Sequence, residues 1–322
     1  MNIGTIGTGT IVEKFITNIQ KTEHLRCTAV YSRSLEKGRA LADKFGVANV
    51  HTSLEALFSD DEVDAVYIAS PNSLHYAQAK AALLGGKHVV CEKPMSPYYA
   101  QTEELFMLAK EKGLMLLEAV TIAHAPNFEV MREHLADIGR PRLMLCNYSQ
   151  YSSRYDQLRA GEVTNVFNPQ FAGGALMDIN FYNIYEAAAL FGRPESVSYY
   201  PNCYENGIDT SGIAVLRYGD FVCQCTGAKD TWGRNSVQIE GEDGYIYVDG
   251  STNASGPVHI VTKADAVELD RQSDGDQWYY ELLSLDRILE NKDMEACAAL
   301  RQASMDTAWI LEQARKSAGM CF

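Results

Sequence analysis

What this 322-residue chain lacks narrows its reading first. Its eight cysteines include no C-x-x-C pair, which removes the common zinc-ribbon and thiol-redox spacings. No apolar run approaches the ~20 residues of a membrane-spanning helix. No basic run offsets a balance of 28 Lys+Arg against 42 Asp+Glu, a formal charge of −14. That argues against nucleic acid and anionic membrane surfaces as partners. Proline is scarce at nine residues, and there is no repeat, low-complexity tract or heptad array. Nor is there a G-x-S-x-G elbow, a P-loop or a paired His/Cys ligand set, so serine-hydrolase, phosphoryl-transfer and metal chemistry have little support and no metal ligands are expected.

What is present is an ordinary globular composition, 46% hydrophobic and 22% charged, over a length that points to two domains. The cysteines (Cys27, Cys91, Cys146, Cys203, Cys223, Cys225, Cys297 and Cys321) read as small buried hydrophobes in a reducing cytoplasm. Cys223 and Cys225, two apart in a strand-like run, are expected on one sheet face. The chain opens on a strand, so no secretory signal and a cytoplasmic location are expected.

Up to residue 119 strands and helices alternate, as in a parallel sheet built of βαβ units. Strands are expected over 1–6, 25–31, 65–69, 88–91 and 114–119, and helices over 11–20, 35–45, 54–58, 74–84 and 98–112. From 120 the pattern changes to a helix over 127–137, a long strand over 142–151, an irregular stretch over 152–171 and one helix from Gly173-Gly174 to about 191. Strand-like runs follow at 196–204, 213–218, 221–228 and 237–248, then helices at 278–290 and 296–316. The expected fold is an α/β Rossmann-like dinucleotide-binding domain over 1–119. An α+β domain over 120–322, with a large and mainly antiparallel open sheet, would bind substrate and make the oligomer contact.

The chemistry-bearing motifs fall at the carboxyl edge of the first sheet, where α/β folds bind ligands. Gly7-Thr8-Gly9-Thr10-Ile11 lies between the first strand and helix, where a dinucleotide fingerprint must lie to work. Gly7 permits the tight turn, Gly9 lets a pyrophosphate approach, and the amides of Thr10 and Ile11 present the positive helix end to phosphate. Val12 stands where a third small residue is usual. The second strand ends in Ser32-Arg33-Ser34 with no carboxylate for ribose hydroxyls. Two hydroxyls and a guanidinium suit the 2′-phosphate of NADP, which is therefore favoured over NAD. Ser70-Pro71-Asn72 with His75 is expected against ribose and nicotinamide. In Glu92-Lys93-Pro94, the proline restricts the lysine backbone and holds its ammonium toward the crevice. In the second domain, Asp178 and Tyr182 are four apart and share a face if the segment is one helix. A tyrosine near a lysine ammonium can serve as a proton donor, because the positive charge favours phenolate.

With these motifs in order, the chain resembles the glucose–fructose oxidoreductase, inositol dehydrogenase and rhizopine-catabolism (Gfo/Idh/MocA) family. The likeness rests on Gly7-x-Gly9, Ser70-Pro71-Asn72 with His75, Glu92-Lys93-Pro94 and Gly173-Gly174-Ala175-Leu176-Met177-Asp178. It implies a Rossmann domain, a C-terminal open sheet that often forms the oligomer interface, and an essential lysine at Lys93. Tyr182, where many members have histidine, is similar to the dimeric dihydrodiol dehydrogenase and D-xylose dehydrogenase branch, which generally uses NADP and a lysine–tyrosine pair. Asn180 replaces the usual helix glycine, and Glu118-Ala119-Val120-Thr121 lacks that branch's aromatic residues.

The resulting expectation is an NADP(H)-dependent dehydrogenase acting on a sugar, polyol or cyclic diol, with Lys93, Tyr182 and Asp178 catalytic. A homodimer or homotetramer through the C-terminal sheet is expected. Tyr151, Tyr155, Asn168 and His124 are further candidates for substrate contact by position. A cofactor-binding sensor without turnover and an NAD-dependent glycosidase are the alternatives. Lys93 with Tyr182 weighs against the first, and Ser32-Arg33 against the second.

Overall fold

A computed structural model describes residues 1–272 and 276–320; Cys321 lies outside them. The chain divides into two compact units, Met1–Ala119 with Trp278–Arg301, and Val120–Gln277 with Gln302–Phe322.

The first unit carries strands β1 (Asn2–Ile6), β2 (Arg26–Tyr31), β3 (Asn49–His51), β4 (Ala65–Ile68), β5 (His88–Glu92) and β6 (Leu116–Ala119). They pair in parallel in the order β3-β2-β1-β4-β5-β6, the doubly wound order whose direction reverses between β1 and β4. Between them run α1 (Thr10–Ile19), α2 (Leu35–Phe45), α3 (Leu54–Phe58), α4 (Asn72–Leu84) and α5 (Tyr99–Lys112). β4 is buried throughout and apolar, as a central strand covered on both faces must be. The short edge strand β3 has no apolar run to announce it and is absent from the sequence reading.

The second unit starts with α6 (Pro126–Glu133), the long strand β7 (Pro141–Ser149), α7 (Ser153–Arg159), α8 (Ala175–Asp178) and α9 (Asn180–Phe191). Strands β8 (Ser196–Cys203), β9 (Asp209–Arg217), β10 (Val222–Ala228), β11 (Ser236–Gly241), β12 (Gly244–Asp249), β13 (Val258–Thr262) and β14 (Ala266–Leu269) follow. The sheet order is β14-β13-β12-β11-β7-β10-β9-β8, antiparallel except where β7 lies parallel to β10. The fold class read from the sequence is present. The expected single strand over 237–248 is instead a hairpin, because Glu242-Asp243 between Gly241 and Gly244 turns the chain back. The expected irregular stretch contains α7, capped by Ser152. The helix expected from Gly173 is interrupted at Ile179, so Asp178 closes α8 and Tyr182 stands on α9.

The last helices are α10 (Gln277–Asn291) and α11 (Met294–Ser317). From the pattern alone both helices are expected in the second domain, whereas Trp278–Arg301 belongs to the first compact unit. Its apolar stripe explains the placement. Leu282, Leu285 and Leu289 recur at helical spacing and join Phe15, Ile16 and Ile19 in one buried cluster. Asp286 accepts the amides of Glu23 and His24 at 3.2 and 3.1 Å.

One buried carboxylate sets the entry to α8. Asp209, at the start of β9 and fully buried, accepts from Leu176 N at 2.6 Å and from the Tyr199 hydroxyl at 2.7 Å. Gly174 has φ +98°, and a Cβ there would overlap Asp209 Oδ1, so only glycine lets the chain turn into α8 over this group. Burial pushes the Asp209 carboxyl up to about 6 against its hydrogen bonds. The folded state thus holds a proton that the unfolded chain releases from about pH 4. The contribution is present below that pH and lost as pH rises to about 6. Relative to Asp209→Asn, whose carbonyl can accept both donors, the wild type should lose roughly 2–4 kcal/mol between pH 4 and pH 6.5 in denaturant unfolding. A difference that does not change with pH would show that Asp209 is not protonated in the fold.

Candidate functional site

Within the first unit, the chain's candidate residues gather where the strand order reverses. Gly7, with φ +124°, turns the chain out of β1, and a Cβ there would lie 2.7 Å from Ala69 O. Val12, the large residue at the third fingerprint position, is fully buried in the core. Gly9 is different. Its backbone is ordinary (φ −86°, ψ 175°) and a Cβ there would meet no atom within 4 Å, so neither conformation nor packing requires glycine. The space it leaves lies at the amino end of α1. That end has no side-chain cap, its first intrahelical bond being Glu13 N to Gly9 O. By contrast α2 and α3 are capped by Ser34 and Ser53. Open amides, a helix dipole and room for an anion occur together here, which fits a pyrophosphate.

At the end of β2, Ser32 is buried and its hydroxyl accepts from Ser34 N at 3.2 Å. Arg33 is exposed, and no ion pair or hydrogen bond engages it among the described residues. An unengaged guanidinium beside this strand end fits a phosphomonoester.

The Lys93 loop is anchored on both sides of the lysine. The Tyr67 hydroxyl, on a ring stacked 3.7 Å from Phe15, donates to Glu92 Oε1 at 2.5 Å. His75 Nδ1 lies 2.9 Å from Pro94 O, and Met95 N donates to Glu118 Oε1 at 2.7 Å. The Lys93–Pro94 peptide bond is cis, and Lys93 itself is half-buried. Burial, with the Glu92 charge adding to it, raises the Glu281 carboxyl of α10 well above the usual range.

The structure corrects the expected place of His75. It is 1% exposed, with its nitrogens facing Pro94 O and, at 2.7 Å, Ser70 O. Burial holds its pKa below the usual value. The ring therefore braces the lysine loop from behind and is closed to a ribose. Ser70 is also engaged, its hydroxyl donating to Gln78 Oε1 at 2.7 Å. Pro71 and Asn72 open α4, a second helix end at the reversal without a side-chain cap.

In the second unit, Asp178 is paired with Lys229, whose Nζ donates to Asp178 Oδ2 at 2.6 Å. Lys229 was missed in the sequence, although it directly follows the carboxyl end of a strand, as Lys93 does. Its backbone bonds to Thr210 O and Ser152 N hold it there. Tyr182 is largely buried, its ring 6.1 Å from Tyr148 and 5.9 Å from Phe181. The first turn of α9 is bolted to β10, with Asn180 Nδ2 on Cys225 O at 3.0 Å and Asn183 Nδ2 on Thr226 O at 2.8 Å. Asn180 fits because Gly227 lies opposite; a Cβ there would come within 2.5 Å of Asn180 Cβ.

The positional candidates separate. Tyr151 stacks on the exposed Trp232 (5.6 Å, 10°) and bonds Asp156 at 2.7 Å. Tyr155 packs against Tyr151, Phe167 and Tyr204. Asn168 caps a 3₁₀ turn through Gln170 N, and His124 ends another such turn. Trp232, on the same loop as Lys229, went unnoticed because an isolated tryptophan carries no pattern.

Comparison with known proteins agrees with this geometry. Residues 1–120 match the family described as "Oxidoreductase family, NAD-binding Rossmann fold", and residues 128–247 match the "GFO/IDH/MocA C-terminal domain". The chain is 35% identical to the scyllo-inositol 2-dehydrogenase (NADP(+)) of Bacillus subtilis, over 98% of this chain and 97% of that protein. It is 30% identical to a D-xylose 1-dehydrogenase (NADP(+)) of Haloferax volcanii, over 85% and 80%. Its fold matches that of a 3-ketoreductase from Actinomadura kijaniata solved with NADP and TDP-benzene, at a TM-score of 0.83 and 22% identity over 98% and 97% of the two chains. Sheet order, glycine turn, anchored lysine loop and these matches agree: the chain belongs to the Gfo/Idh/MocA family of oxidoreductases.

Proposed function

We propose that this chain is an NADP(H)-dependent oxidoreductase that moves hydride to or from a carbinol or carbonyl carbon of a sugar, polyol or cyclic diol. The observation that carries the reading is the lysine loop, with Glu92, Pro94 and Met95 each tied down around a half-buried Lys93 at the carboxyl edge of the sheet. The dehydrogenase names of the relatives support hydride transfer rather than a sensor or a glycosidase.

Gly7, Thr8, Gly9, Thr10 and Ile11 would cradle the pyrophosphate, and Asn72 with Ser70 and Pro71 would line the ribose side. Arg33 would grip the 2′-phosphate. The Ser32 hydroxyl, which accepts from Ser34 N, still has its own proton to donate there. Bound in this way, NADP supplies the hydride-carrying nicotinamide carbon. Lys93 would donate to the substrate oxygen and Tyr182 would be the residue that exchanges the proton, the roles that the family resemblance implies for them. Asp178, its carboxylate oriented by Lys229, receives substrate hydroxyls. Tyr151 and Trp232 offer a stacked aromatic surface to the apolar face of a sugar ring.

Self-association through the open face of the second sheet belongs to the same proposal. Strand register puts Tyr200, Ile213, Leu143 and Tyr245 on that face, and all four are exposed. A cytoplasmic location fits the free cysteines.

Three outcomes are expected. Arg33→Ala should raise KM for NADP roughly 10–100-fold, the loss of one charged hydrogen bond, while KM for NAD changes little; an equal effect on both would remove Arg33 from the 2′-phosphate. With a panel of inositols, aldoses and cyclic diols read by nicotinamide absorbance, Lys93→Met and Tyr182→Phe should each lower kcat about 10²–10⁴-fold while NADP still binds. Full turnover by Tyr182→Phe would move the proton transfer elsewhere, and cofactor binding with no turnover of any panel member would favour the sensor. In sedimentation, Ile213→Glu should convert an oligomer to a monomer; an unchanged mass would place the interface on another face.

A further inference from the structure

The covered face of the second sheet carries three thiols that the proposed reaction does not use. Cys146 on β7 is the register partner of Cys225 on the adjacent parallel strand β10, and Cys223 lies two residues from Cys225 on the same face. All three are buried. The sulfurs of Cys223 and Cys225 are 3.6 Å apart, and all three lie within 4.8 Å of one another. A tetrahedral ion with bonds of about 2.3 Å holds its sulfurs about 3.8 Å apart, so the trio needs to contract by no more than about 1 Å.

A second observation points into the same space. α9 crosses β10 with Asn180 on Cys225 O and Asn183 on Thr226 O. Glu186 falls on that helix face one step further along, on the side toward Cys225 and Cys223. It is 1% exposed, and neither of its carboxylate oxygens has a hydrogen-bond partner. It lies within electrostatic reach of both Cys225 and Cys223. A buried carboxyl without a hydrogen-bond partner carries its desolvation penalty, which an apolar residue of the same size would avoid. Three soft sulfurs gathered on one face suit a thiophilic cation, and Glu186 lies close enough to two of them to interact electrostatically.

We propose that Cys146, Cys223 and Cys225, with Glu186 above them, form a closed structural site for a thiophilic d¹⁰ cation, zinc(II) or copper(I). On binding, each coordinating thiol gives its proton to solvent and no electrons are transferred. Zinc would draw in the Glu186 carboxylate as a fourth ligand through a shift of that side chain, whereas three-coordinate copper(I) is complete with sulfur alone.

The test uses the full chain expressed in zinc- or copper-supplemented medium, purified under reductant and washed with EDTA, with metal per chain measured by mass spectrometry. Near-stoichiometric retention is expected, falling at least tenfold in Cys146→Ala and Cys225→Ala but not in Cys203→Ala, which removes an exposed thiol. Glu186→Gln should reduce zinc retention about tenfold or more and leave copper(I) unchanged, which tells the two ions apart. Because core cysteine variants can misfold, the wild type is also refolded with cadmium(II), which should give thiolate charge-transfer absorption at one ion per chain and a higher unfolding midpoint. Wild type that holds no metal and shows no cadmium band overturns the proposal. So does equal loss in Cys203→Ala, or pairing of the three thiols as a disulfide.

Discussion

Both units rest on the same physical device, a buried carboxylate that ties a backbone amide or a tyrosine hydroxyl to the entrance of a functional segment. In the first unit Glu92 takes the Tyr67 hydroxyl and Glu118 takes the amide of Met95, one on either side of Lys93. In the second, Asp209 takes both the Tyr199 hydroxyl and the amide of Leu176, at the start of the helix that ends in Asp178. A buried carboxylate is costly unless its oxygens are engaged, and that cost makes the arrangement specific. Any shift of the lysine loop or of α8 breaks a charge-assisted bond in a place that water does not reach. The device holds the segments that carry Lys93 and Asp178, the residues proposed to act on the substrate.

Glycines complete the design by allowing close approach, and their roles differ. Gly7 and Gly174 have backbone conformations that a side chain would strain, and Gly174 also clears the Asp209 carboxylate. Gly227 clears Asn180, which is how the first turn of α9 accommodates asparagine against β10. The asparagine amide bonds the β10 backbone at Cys225 O. Gly9 answers to neither requirement. A glycine that its own fold does not need is the clearest local sign of a ligand at the amino end of α1.

Histidine and lysine show how pattern can mislead. His75 follows Ser70-Pro71-Asn72 at the sheet edge, and spacing alone puts it against a cofactor. Its side chain instead turns back under Pro94, where burial outweighs the hydrogen bonds that would favour its charge. Lys229 carries no motif, yet it neutralises the aspartate that the family resemblance singles out. Both differences arise because position along the chain specifies an end of a strand or helix, but not the direction of a side chain.

The fold class, the doubly wound character of the first unit, the glycine turn after β1 and the position of Lys93 at a strand end are all legible in the chain alone, since they depend on local periodicity, turn chemistry and a few short motifs. So is the placing of Cys223 and Cys225 on one face, because strand geometry alternates without reference to anything else. Which distant residues meet is settled only in the assembled fold: Cys146 with those two thiols, Lys229 with Asp178, Asp209 beneath Gly174, and α10 in the core of the first unit. The break at Ile179 and the short strand β3 were likewise invisible, because each turns on packing between segments remote in sequence or on a run too short to show a period, whereas the hairpin between β11 and β12 has a local turn signal in Gly241-Glu242-Asp243-Gly244. Local preference fixes what an element is, while pairing and burial across the fold fix what it touches, and the chemistry of this protein depends on the second.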